Sequence, residues 1–165
     1  MKPLHEPFYN LIHATADDTE GETTAVRELA PVIHTAQGDH GLLAHLVEGL
    51  VASTVICHGL ALRAGWWTDP VTGEPKDRND GECIALMHSE LSEMLEGLRK
   101  DKQDDHLPHR KSAEVELADL LIRAFDYAGA RNLDVAGAVI EKLAYNLKRQ
   151  DHQLSARAAA GGKKF

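Results

Sequence analysis

The sequence predicts an all-α protein, a four-helix-type bundle. Three observations carry that expectation. Aromatic residues are only 5% of the 165 residues, while Ala and Leu are abundant, a balance that favours helices over a β-sandwich. Apolar residues recur every three or four positions in several long segments. No segment alternates strictly enough to form a strand, and hydrophobic residues at 43% suffice for a core.

The elements follow in order. Residues 1–38 are mixed and rich in Asp, Glu and Thr, and read as an N-terminal extension with one short helix over Glu22–Thr35, ended by Gln37-Gly38. Asp39 reads as the N-cap of a long helix reaching about Gly65, with Leu42, Leu46, Leu50, Val51, Val55 and Leu60 at helical spacing. Trp66–Asn79 holds two prolines and a glycine and is a loop. A helix over Asp80–Lys100 comes next, with Ile84, Met87, Leu91, Met94, Leu95 and Leu98 as its apolar face. After a polar connection, a helix spans Ser112–Ala130, and Asp134 caps a last one ending near Asp151. The helical domain is therefore 39–152, and 153–165 is a flexible tail.

Charge and cysteines narrow the function. A formal net charge of -8 disfavours a nucleic-acid partner, because a phosphate backbone is repelled. Cys57 and Cys83 form no Cys-x-x-Cys pair and read as free thiols in apolar helices. The N-terminus lacks a basic start followed by an apolar run, and the longest apolar stretch, broken by His58 and Arg63, reads as too short to span a bilayer. A soluble, cytoplasmic protein with no membrane partner is expected.

The chemistry lies in carboxylates. Glu90 and Glu93 are three apart, and Glu90 borders the apolar face of its helix. On the next helix, apolar residues cover most of the circumference, leaving one polar stripe of Glu116, Asp119, Arg123 and Asp126. Such a helix is normally buried, and buried acids need a partner. Arg123 could serve Glu116, Asp119 or both; a divalent cation is the other partner. Acidic pairs at helical spacing are usually a solvated face. Two such pairs on consecutive antiparallel helices converge when the hairpin folds, and four carboxylates at close range call for a cation. Oxygen-only ligands suit Mg²⁺ or Mn²⁺ better than zinc, and Mg²⁺ commonly accompanies triphosphate chemistry.

This pattern resembles the MazG-type all-α nucleoside triphosphate pyrophosphohydrolases, which carry Glu-x-x-Glu, then Glu-x-x-Asp, then Lys-x-x-x-Asn-x-x-Arg on successive helices. Here these are Glu90/Glu93 in HSELSEMLE, Glu116/Asp119 in EVELADLL, and Lys142, Asn146 and Arg149 in EKLAYNLKRQDH. The likeness covers about residues 66–152. Ser89 stands where many members have a further Glu, and Gln150 where many have Pro. The resemblance implies a MazG-like bundle and hydrolysis of a nucleoside triphosphate, a purine deoxynucleotide by preference, to monophosphate and pyrophosphate. It implies Glu90, Glu93, Glu116 and Asp119 as ligands of two or more Mg²⁺ or Mn²⁺ ions, and Glu93 as the proton acceptor. Lys142, Asn146 and Arg149 then bind substrate; Trp66 and Trp67 could stack on a purine, although a Trp at a helix end more often simply packs. A phosphoribosyl-ATP pyrophosphohydrolase and a non-catalytic helical interaction module are the competing readings. The apolar excess of the 112–130 helix and of the long first helix points to a homodimer or homotetramer, with Arg110 and the His106–His109 loop reaching across.

Overall fold

The computed structural model describes residues 39–163, and among them every regular element is a helix. We number the α-helices α1 (Asp39–Arg63), α2 (Asp80–Lys100), α3 (Ser112–Ala130), α4 (Val135–Lys148) and α5 (Leu154–Ala158), with a 3-10 turn at Gln150–His152 before α5. The expected helix over 22–35 lies outside the described residues. The last long helix stops at Lys148, short of the expected Asp151, and part of the tail expected to be flexible forms α5.

Local chemistry sets the boundaries. Gly65, at φ 83°, ends α1, with the Trp66 amide returning to the Ala61 carbonyl. Asn79 caps α2, its side chain accepting from the Glu82 amide. Asp134 caps α4 as expected, accepting from the Gly137 amide at 2.9 Å. Between α1 and α2 the loop is tied by a bridge between Thr68 and Pro75 and by Asp69, whose carboxylate accepts from the Val71 and Thr72 amides.

The chain divides into two compact units. One comprises the described residues up to Val51 and those from Asp134 onward; its core is Leu43 and Val47 of α1 against Ile140 and Ala144 of α4. The other is Ala52–Leu133, where α2 and α3 pack along their length. They run antiparallel: Gly97 meets Ser112 at the closed end of the hairpin, and Arg131 reaches Asp80 at the open end.

The face of α2 expected to be buried is not the buried one. Cys83, Glu90 and Gly97, seven apart, form the buried stripe, while Ile84, Leu91, Leu95 and Leu98 are exposed. The reason is steric: a Cβ on Gly97 would fall 2.7 Å from the Ser112 hydroxyl, so small side chains let the helices close up. Nor is α3 buried all round, since Leu117, Leu121 and Ile122 are exposed. The α1 stretch Leu42–Arg63 is long and apolar enough to cross a membrane by length and composition, contrary to the expectation that it is too short. His58 and Arg63 are too few to lower its mean apolarity, and the core helix of a soluble protein passes the same test.

Where α1 crosses α3, Gly129 lies against His58; a Cβ there would sit 2.6 Å from the His58 Cβ. Gly129→Ala should therefore lower stability: overpacking of about 1–3 kcal/mol outweighs the gain in helix propensity of about 1 kcal/mol. Urea denaturation should show a lower midpoint; an unchanged or higher one would mean His58 gives way freely.

Candidate metal centre

Glu90 projects from the buried stripe of α2, and Glu116 and Asp119 stand one turn apart on α3. The antiparallel hairpin sets them against one another, and one carboxylate oxygen from each lies within 4.8 Å of the others. Glu90 is buried, and Glu116 and Asp119 are half-buried. An all-oxygen trio of this kind would suit a hard divalent cation such as Mg²⁺ or Mn²⁺. Glu93 is exposed and outside this trio, although its charge reaches Glu116.

The electrostatics are those of crowded like charges. Burial first, then the neighbouring charges of Glu93, Glu90 and Asp119, push the Glu116 carboxyl above its ordinary range. Burial followed by Glu90 raises Asp119, with Arg123 opposing. An ion pair of Arg123 with Glu116, Asp119 or both was one of the two alternatives for these acids, beside a divalent cation. Instead the Arg123 Nε donates to Glu90 Oε1 at 2.6 Å, across the helix pair.

Next to this cluster is a cavity of about 650 Å³. Its apolar walls include Ile56, Leu60, Leu86 and Ile122; Asp119, Arg123, Arg78 and Asp126 are its charged groups, and both cysteines line it. Cys57 and Cys83 are free thiols, as expected, and burial raises the Cys57 pKa. Asp126 is the centre of a network that sequence reasoning missed. Its Oδ1 accepts from His58 Nδ1 and from Trp67 Nε1, each at 2.8 Å. A carboxylate only accepts, so the His58 proton sits on Nδ1. The visible signal was Asp126 itself, last in the polar stripe of α3. Its partners, one inside an apolar helix and one in a loop, had no local signature.

Trp67 lies against two guanidinium groups, Arg78 at 5.3 Å and Arg131 at 5.7 Å from its ring centroid. It is buried and serves as a structural wall, while Trp66 is exposed at the cavity. Arg131 also donates to Asp77 and Asp80, tying the loop to the end of α3.

Lys142, Asn146 and Arg149 belong to the other unit. Lys142 is exposed, its ammonium 4.7 Å from the Tyr145 ring centroid. Asn146 has a buried Oδ1 with no hydrogen-bond partner, and Arg149 forks onto Asp151 at 3.0 and 2.6 Å. His106, His109 and Arg110 are exposed, on a loop braced by Asp104, whose carboxylate accepts from the His106 and Leu107 amides.

Comparison with known protein families, curated proteins and solved structures found no match.

The raised carboxyls have a consequence for stability. A group whose pKa is raised on folding stabilises the fold below its ordinary value, about 4, and loses that contribution as pH rises through the raised value. Metal-free protein should therefore lose stability as pH rises through the raised Glu116 and Asp119 values. Glu116→Gln should melt higher than the parent at neutral pH without metal, and the gap should close on acidification. A variant that melts lower throughout would contradict the repulsion.

Proposed function

We propose that the chain is a metal-dependent hydrolase that cleaves a nucleoside triphosphate into monophosphate and pyrophosphate. The observation that supports this most is the convergence of Glu90, Glu116 and Asp119 at the mouth of an apolar cavity whose wall includes Asp119. Mg²⁺ or Mn²⁺, in two or more ions, suits the all-oxygen donor set. Such ions supply Lewis-acid polarisation of a phosphate and a more acidic water.

The chain's own groups have separable parts. Glu90, Glu116 and Asp119 hold cations, and Glu93 completes the set. Glu93 is also the proton acceptor in this reading, being exposed and without a hydrogen-bond or ion-pair partner among the described residues. Arg123 steadies Glu90 and adds positive charge beside the phosphates. The resemblance also gives Lys142, Asn146 and Arg149 a substrate-binding role; they lie in the other unit.

A non-catalytic helical module is the second reading, favoured by one observation: Arg123 already gives Glu90 a partner. Activity separates the two. With Mg²⁺, Asp119→Asn should lower hydrolysis by at least 100-fold with helicity intact, on the scale of losing a catalytic metal ligand. Chromatography should show monophosphate and pyrophosphate as products. Diphosphate with orthophosphate, or full activity in Asp119→Asn, would overturn the assignment.

Assembly belongs to the same proposal. Leu91, Leu95 and Leu98 of α2, and Leu117 and Leu121 of α3, are exposed apolar side chains, which soluble monomers seldom carry in quantity. A symmetric dimer, or a tetramer of two dimers, covers them and completes the bundle. Light scattering should give a multiple of 18.1 kDa at micromolar concentration. A fully active species of 18.1 kDa would refute it.

A further inference from the structure

We propose that Asp126, with Arg78 beside it, reads the base edge of the nucleotide and selects a base bearing an amino group, guanine above the others. This rests on the nucleotide reading above and deepens it.

The argument begins with an unfilled hydrogen-bonding capacity. The Asp126 side chain is 12% exposed. Both donors that reach it, His58 and Trp67, bind the same oxygen, Oδ1. Oδ2 has only the Arg78 Nη1, at 4.0 Å, beyond hydrogen-bonding distance. An ionised carboxylate accepts at both oxygens, so Oδ2 keeps accepting capacity towards the cavity. Asp126 lines the cavity, so a donor can reach Oδ2 from a molecule held there.

The position fits a nucleotide. Asp119 and Asp126 are seven residues apart on α3, two turns, so they share a face about 10.5 Å apart along the axis. That is comparable with the reach of a nucleoside from base edge to 5′ oxygen. Phosphates at Asp119 and Arg123 leave the base among Ile56, Leu60, Leu86 and Ile122, and Trp66 is the exposed ring available to stack on it. The volume, about 650 Å³, lies within the usual range for small-ligand sites.

The edge chemistry selects among bases. The carboxylate only accepts and the guanidinium only donates. Oδ1 is taken by His58 and Trp67, so the base edge meets Oδ2, whose two lone pairs can accept both guanine donors, N1–H and the 2-amino group, while O6 accepts from Arg78. Adenine and cytosine each offer one amino group next to an acceptor. Thymine and uracil flank their single N–H with two carbonyls, one of which faces the carboxylate and is repelled. His58 and Trp67 fix the Asp126 rotamer before any ligand arrives, so a base lacking a donor displaces water from Oδ2 without replacing its hydrogen bond.

The test removes one group from the substrate. With full-length protein and Mg²⁺, kcat/KM for deoxyguanosine triphosphate should exceed that for deoxyinosine triphosphate, which lacks only the 2-amino group, by about 10-fold or more, the scale of one hydrogen bond to a charged acceptor. In Asp126→Asn that ratio should fall towards one; Asn keeps an oxygen for His58 and Trp67, and the parent comparison needs no variant. Equal rates for the two substrates in the parent, or an undiminished preference in Asp126→Asn, would overturn the inference while leaving the hydrolase reading intact. Calorimetry with deoxyguanosine and deoxyinosine monophosphates separates the other failure. Tighter binding of the guanine nucleotide by a protein that hydrolyses no triphosphate would uphold the base reading and reject the hydrolase. Equal binding, or none, would reject the base reading too.

Discussion

Glu90, Glu116 and Asp119 face one another across the seam between α2 and α3, and carboxylates at that range repel unless a cation stands among them. Hydrophobic contact alone does not explain why these helices approach closely there. Gly97 against Ser112 and Cys83 further along remove bulk from the seam, so backbone approach is bought with small side chains while leucines are left outside. The arrangement sacrifices burial of large apolar groups to hold acids together. That choice is hard to account for as stabilisation and easy to account for as the construction of a charged site. Arg123 offsets the repulsion on one side only, by pairing with Glu90.

A second organising device lies along α3. Glu116, Asp119, Arg123 and Asp126 form one stripe, and each has a different environment: two crowded acids, a cation reaching across to α2, and a carboxylate fixed by His58 and Trp67. A single helix thus spaces the acidic cluster and the Asp126 network by a fixed rise per residue. The loop between α1 and α2 depends on the same helix, because Arg131 at its end holds Asp77, Asp80 and the Arg78 carbonyl.

Helix positions were largely legible in the sequence. The α2 and α3 bounds agree with those read from spacing and from the polar connection between them, because Gly, Pro and cap residues act locally. The pairing of Glu90 with Glu116 and Asp119 was legible too, since it needs only two periodic helices and a short hairpin. What failed was inference from side-chain size. The large apolar residues of α2 were taken for its buried face, yet which face a helix buries within one chain is set by how closely its neighbour can approach, and Gly97 decides that. The partner of Arg123 was missed because a long side chain reaches across a seam as readily as along a helix. Packing was the commoner expectation for the tryptophans, and Trp67 does pack, against Arg78 and Arg131.

The two tryptophans have an optical consequence. Trp66 and Trp67 are adjacent and are the chain's only indoles, yet one is 66% exposed and the other 8%. Trp67, lying against two guanidinium groups with its N–H tied to a carboxylate, emits from a fixed and sheltered environment. Trp66 emits from water at the edge of the cavity. Both rings line the cavity, so intrinsic fluorescence should report an occupant without any label: Trp66 through its exposed face and Trp67 through its bond to Asp126.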